Sequence, residues 1–279
     1  MSRGQERNKE RKASTALIRD RRTLTTKRIV FLVIAAAAPL AAMIGNVPLA
    51  LVYGNGYGLP TAYLLASIVL ICFSVGYAAM SSRVINTGAF YTYISRALGK
   101  EVGVGAAYLA LASYTAMSCG LAGGFGYFMH ELIKSAAAIE IPWYLLSAAG
   151  VAIVAYMGYR SVDLSAKVLG VLMIAEFAVL IVFEVLVLIK QGGSAFPTQS
   201  FTFKAATSGP FGISALIAFT SFIGFESAAL YGEETKNPEK SIPRATYIAV
   251  ISVGIFYVLT TWMIIGATGL DKLSSQAKH

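Results

Sequence analysis

The chain has 279 residues, 56% hydrophobic and only 13% charged, with a mean hydropathy of +0.65 and a net charge of +9. That is too apolar for a single soluble domain of this size, and it reads as a membrane protein. Catalysis finds no support: there is no Ser/His/Asp set, metal-ligand spacing or phosphate loop, the two histidines are His130 and the terminal His279, and no cofactor or metal is expected.

In chain order, residues 1–28 come first, with ten Lys/Arg against Glu6, Glu10 and Asp20, so +7 of the net +9 lies there. Nucleic-acid binding is one use of such a tail, but a disordered cytoplasmic anchor beside anionic lipid is the favoured reading, and no nucleic-acid partner is expected. A secretory signal fits poorly, because the first apolar run begins near Ile29 and no small-residue cleavage pattern follows it.

No charged residue or histidine occurs between Arg28 and Arg83, a stretch of 54 residues. A bilayer core takes about 20 apolar residues per helix, so this stretch holds two spans with a turn near Asn55–Pro60. Uncharged runs bounded by turn residues give an all-α integral membrane protein with seven spans, at 29–53, 61–82, 102–130, 141–159, 164–189, 211–232 and 245–269. Cys72 and Cys119 both fall inside spans, so neither a disulfide framework nor a metal site is expected. With the N-terminus inside, 18 Lys/Arg fall on inner segments and five on outer ones, which favours N-terminus in and C-terminus out. The segment NTGAFYTYISRALGK after span 2 places Phe90, Tyr93, Ile94 and Ala97 on one face, as expected of a short helix at the inner membrane surface.

Span 1, IVFLVIAAAAPLAAMIGNVPLALVY, contains Pro39, Gly45, Asn46 and Pro48. Each proline removes a backbone donor, and Gly45 and Asn46 leave helical geometry readily. Two half-helices meeting near Gly45-Asn46, with Pro48 in the first turn of the second, are the expectation, and a simple proline kink is the alternative. Span 6 offers a second interruption, FTSFIGFES, near Gly224. Transporters built from inverted repeats put broken helices at corresponding places in their two halves, and spans 1 and 6 correspond if each repeat has five helices.

Two carboxylates need an explanation. Glu226 lies just past the span-6 interruption and Glu176 near the middle of span 5, where an ionised group costs roughly 2.5–3.5 kcal/mol on insertion scales. Neither has a Lys or Arg within four residues. Leaving water penalises the charged form, so both are candidate proton carriers, the alternative being a neutral side chain hydrogen-bonded to a neighbouring helix. Glu184, nearer the end of span 5, is given no role.

The stretch SFIGFESAALYGEETKNPEKSIPRA resembles the signature of amino acid permeases of the amino acid/polyamine/organocation superfamily, through Gly224, Phe225, Glu226, the Glu233/Glu234 pair, Asn237-Pro238 and Ile242-Pro243-Arg244. It looks especially like the bacterial arginine/agmatine exchangers around Ser221–Gly224 and Glu226–Ala228. The segment after span 2 and Gly45-Asn46-Val47 are similar to further family motifs. The resemblance implies a transporter in the cell membrane for amino acids or related amines, proton-coupled or exchanging. In it the substrate carboxylate meets N–H groups of Ile44, Gly45, Asn46 and Val47, and the ammonium meets carbonyls of Phe222, Ile223 and Gly224. Phe222 and Phe225 would close over the substrate, Glu226 matches a carboxylate near it, and Glu176 aligns with a position where several relatives carry lysine.

Three departures stand against this pattern. Val47 replaces a second glycine, Thr220 replaces the tryptophan that stacks on a guanidinium, and the family has about twelve spans where seven are expected here. The resemblance therefore implies a first repeat at 29–189, an outer loop at 190–210, two helices of a second repeat at 211–270 and a polar tail at 271–279. A permease truncated after the seventh helix, which does not transport or needs a complementary chain, is the competing expectation; a complementary chain or a homo-oligomer is the further partner considered. A seven-span receptor or retinal protein is disfavoured because span 7 holds no lysine for a Schiff base.

Overall fold

The computed structural model describes residues 24–86, 88–160 and 162–269. The basic tail expected over 1–28 falls largely outside these residues, as does the polar tail at 271–279. The described helices of more than one turn are α1 (Thr26–Ala37), α2 (Pro39–Tyr53), α3 (Leu59–Arg83), α4 (Ala89–Leu98), α5 (Lys100–Ala137), α6 (Trp143–Arg160) and α7 (Val162–Gln191). They are followed by the one-turn α8 (Phe203–Ala206), then α9 (Phe211–Ser221), a 3₁₀ segment over Phe225–Tyr231, and α10 (Pro238–Thr268). The extended element among the described residues is one isolated parallel bridge between Leu24 and Thr235.

All seven expected spans coincide with helices. Six are long and apolar enough to cross a membrane, and the seventh candidate, Trp143–Tyr159, is apolar but shorter. The short surface helix after span 2 is present as α4.

The described residues divide into two compact units. One contains residues up to Ala89 and those from Met173 onward, and the other is Phe90–Leu172. In the first unit α10 packs along α3 and against α1, while α9 packs against α2 and α3. Small residues allow these approaches: a Cβ on Gly254 would stand 2.8 Å from Ser67 Oγ. The core gathers around Met43, Val47, Tyr63, Phe222 and Tyr257, with Tyr257 edge-on to Tyr63 (centroids 5.8 Å) and to Phe222 (5.1 Å). Such contacts add about 0.5–1.5 kcal/mol each beyond area burial.

The segment 190–210 is more ordered than a plain loop. It holds two 3₁₀ turns and α8, and Trp262 ties down the turns: its indole N–H donates to the Pro197 carbonyl at 3.0 Å and its ring lies 4.9 Å from both Phe196 and Phe201.

In the second unit α5 and α6 form an antiparallel hairpin. Gly126 lets the chains meet at Ser147, whose hydroxyl donates to the Ala122 carbonyl at 2.8 Å. A His130 ring N–H donates to the Ile141 carbonyl at 2.6 Å, and Lys134 pairs with Glu140 at 2.7 Å to close the connection. That ammonium holds the Glu140 carboxyl below the usual carboxylate range. The outer faces are apolar, with Leu109 and Val154 each 70% exposed, as hydrocarbon requires.

Candidate functional site

Span 1 is interrupted, at Ala38. Proline disfavours the right-handed helical region for the residue before it and cannot donate to the carbonyl four residues back. Ala38 accordingly lies in the left-handed region (φ 43°), its N–H closes the last turn of α1 onto the Ala35 carbonyl at 3.2 Å, and Pro39 opens α2 at the position that suits proline.

The break expected at Gly45-Asn46 is therefore corrected. Ile44, Gly45, Asn46 and Val47 all sit inside α2, where their N–H groups belong to the helical ladder, and Pro48 lies within the helix instead of in its first turn. Local permissiveness at Gly45 does not break a helix whose neighbours stay helical, whereas Pro39 acts on its predecessor whatever surrounds it. Asn46 sends its side-chain N–H across to the Ser221 hydroxyl at 2.8 Å. Val47 is core, and Ile44 is 44% exposed.

Span 6 breaks where expected. Its helix α9 ends at Ser221, the chain turns through Phe222 and Ile223, and Gly224 takes φ 112° before the 3₁₀ segment starts. The two interruptions touch: a Cβ on Gly224 would lie 2.8 Å from the carbonyl carbon and oxygen of Ala36, so backbone meets backbone there. Glycine is required at 224 both for its dihedral and for this approach.

Each interruption exposes a carbonyl end and an N–H end, and side chains reach all four. Tyr257 of α10 serves both carbonyl ends, its hydroxyl lying 3.0 Å from the Ser221 carbonyl and 3.3 Å from that of Ala37. At the N–H ends, the Leu40 N–H donates to Glu176 Oε2 at 3.4 Å, a long hydrogen bond, and the Gly224 N–H donates to Glu226 Oε2 at 2.9 Å. The two carboxylates that looked misplaced in apolar sequence thus occupy the starts of the second half-helices, where orphan donors and the helix dipole favour negative charge. Tyr77 donates to the Glu226 carbonyl at 2.7 Å, and Tyr63 and Ser221 share a hydroxyl contact at 2.9 Å.

A match to the amino acid permease family covers residues 28–278, and so takes in both interruptions. The chain belongs to the amino acid permease family. Among its relatives in that family is the low-affinity putrescine importer PlaP of Escherichia coli (strain K12), 25% identical over 260 residues that cover 90% of this chain and 55% of PlaP. Another is the branched-chain amino acid permease BcaP of Bacillus subtilis (strain 168), 25% identical over 231 residues, 76% of this chain and 48% of BcaP. The chain spans about half the length of these permeases.

The other expected positions in this chain fall out unevenly. The Phe222 and Gly224 carbonyls each already accept a turn hydrogen bond, from the Phe225 and Ser227 N–H groups at 3.2 and 3.0 Å. Phe222 is a core ring at 1% exposure, while Phe225 lies beside Phe73 and Tyr77 of α3, and Ile223 is half-buried. Glu184 accepts from the Thr260 hydroxyl at 2.6 Å. Sequence reasoning missed Ala37, Ala38, Leu40 and above all Tyr257. The Ala-Pro step at 38–39 carried the signal for the first three; a tyrosine in an apolar span has many ordinary explanations and carried none.

Proposed function

We propose that this chain carries the substrate-handling helices of a secondary active transporter for amino acids or related amines, working in the cell membrane by proton coupling or exchange and performing no enzymatic reaction. The contact between two interrupted helices at Gly224 and Ala36 supports this reading most directly. It sets four half-helix ends around one place in a chain whose described residues include six long apolar helices, the arrangement by which broken helices bind substrate near the bilayer midplane. In this reading the N-terminus is cytoplasmic and the C-terminus outside, on the Lys/Arg count. Protons are carried by Glu176 and Glu226.

The relatives named above are about twice as long as the chain. That favours a second reading, in which these residues hold the substrate-contacting breaks while transport needs further spans from the same or a complementary polypeptide. Uptake of labelled putrescine and L-leucine by proteoliposomes holding these 279 residues separates the two. Concentrative uptake is the expected result of the first reading. Uptake that appears only when further spans are co-reconstituted supports the second, and none in either case removes the transport proposal. Glu176→Gln is expected to abolish the response to an imposed pH gradient, and an unchanged response would remove Glu176 from proton coupling.

A further inference from the structure

Glu184 stands inside α7, about 10 Å along the helix from its last residue, Gln191. An ionisable side chain at such a depth is costly and calls for a partner. That partner is Thr260 of α10, which is fully buried and donates its hydroxyl to Glu184 Oε1 at 2.6 Å. The hydroxyl is turned away from its own helix to do so. Thr246, Thr261 and Thr268 of α10 donate instead to the carbonyl four residues earlier, the ordinary local bond of a helical threonine.

The surroundings leave Glu184 able to gain and lose a proton. It is half-buried, and among the described residues no cation pairs with it and no second partner holds its Oε2. Of the elements packed around it, α10 brings Tyr257, while the turns over 192–202 bring no titratable side chain. Its own helix carries Glu176 and the exposed Lys190. Glu176 lies two helical turns away, about 12 Å along the axis. Between the two carboxyls, Phe177 meets Phe256 of α10 with ring centroids 4.9 Å apart, and Leu180 is buried. This apolar stretch offers no side chain to pass a proton on, so the two carboxyls titrate as separate sites.

We propose that Glu184 is a second proton-binding residue of span 5, distinct from Glu176, and that Thr260 transmits its state to α10. The inference rests on the proton-coupled transporter reading, and in the topology given there Glu184 lies nearer the outer surface than Glu176. A proton from the outer water adds to Oε2 and returns to that water when Glu184 ionises. The ionised carboxylate draws a charge-assisted hydrogen bond from Thr260, about twice as strong as a neutral one. Thr260 follows Tyr257 by about one turn of α10, so the hold on α10 tightens or loosens beside the hydroxyl that closes the Ala37 and Ser221 carbonyls. Glu184 is thus a positioning residue, acting on the breaks through α10.

The test reads the carboxyl itself. The full chain in liposomes is titrated between about pH 5 and 9, and the C=O band of its protonated carboxyls is followed by infrared spectroscopy. Subtracting the titrations of Glu184→Gln and Glu176→Gln from that of wild type isolates each carboxyl in turn. A titrating component is expected in both subtractions. A flat Glu184 subtraction beside a titrating Glu176 overturns the proposal and leaves the proton-coupling reading standing; a titrating Glu184 beside a flat Glu176 sustains the site and removes Glu176 from coupling; two flat subtractions remove both. Thr260→Val keeps the carboxyl but deletes its donor, so the Glu184 component is expected to move to higher frequency while that of Glu176 stays. Should Glu184→Gln not fold, this variant decides, and an unmoved band overturns the proposal. The link to the breaks is read by amide exchange at residues 222–225, corrected for intrinsic rates. Opening there is expected to change at least about fivefold across the Glu184 titration and to lose that change in Glu184→Gln; a change that persists in the variant overturns transmission through α10.

Discussion

Gly224 and Gly45 are both glycines near the middle of a membrane span, yet their environments make opposite demands. Gly224 has φ 112° and would bring a Cβ to 2.8 Å from Ala36, whereas Gly45 is helical with nothing within 4 Å of where its Cβ would be. Gly224→Ala is expected to lower stability by about 1–3 kcal/mol from the dihedral alone, with the backbone overlap added to that. Gly45→Ala is expected to be neutral or to stabilise by up to about 1 kcal/mol. Thermal unfolding of both variants in one detergent checks the pair. A destabilised Gly45→Ala would move the interruption back to where sequence pattern first put it.

At the scale of helices, most elements were legible because hydropathy and turn residues report the bilayer directly. All seven expected spans match helices, and the span-6 break was found from its glycine. The span-1 break was misplaced by seven residues, from Ala38 to Gly45, because glycine and asparagine only permit a break while proline acts on the residue before it. Pro39→Ala removes that restriction, so α1 and α2 are expected to join into one helix. Amide hydrogen exchange at residues 38–42 reads this effect; retained exchange protection differences would contradict the assignment of the break to Pro39. At the α5–α6 connection, the Glu140 carboxyl is held low by Lys134. A depressed folded-state pKa contributes stability above the unfolded value and loses it as pH falls through the folded one. Lys134→Ala is expected to return the Glu140 titration, followed by carbon NMR, to the ordinary carboxylate range.

For the whole molecule, the partner of a half-buried carboxylate is the part least legible from sequence. Nothing in the spacing of Glu176 reveals that it reaches a half-helix start in span 1, 136 positions away, because contacts across a bundle depend on helix rotation. The exposed apolar faces are legible and predictive. Leu109 and Val154, each 70% exposed, demand hydrocarbon around them, so an alkaline carbonate wash is expected to leave the chain in the membrane pellet. Release into the supernatant would contradict integral insertion.

The bridge between Leu24 and Thr235 has a bearing on how the chain is made. Two backbone hydrogen bonds, Leu24 to Glu234 at 3.0 Å and Lys236 to Leu24 at 3.2 Å, tie the entry of α1 to the connection before α10. Those segments are more than two hundred residues apart. Synthesis proceeds at about 5–20 residues per second, so the start of the first helix waits on the order of 10–40 s for its partner strand to leave the ribosome. Until then α1 is inserted but unmoored, and Tyr257, which follows later still, has not arrived to clasp its far end. Among the described helices, the earliest to be made is thus among the last to be fixed in place.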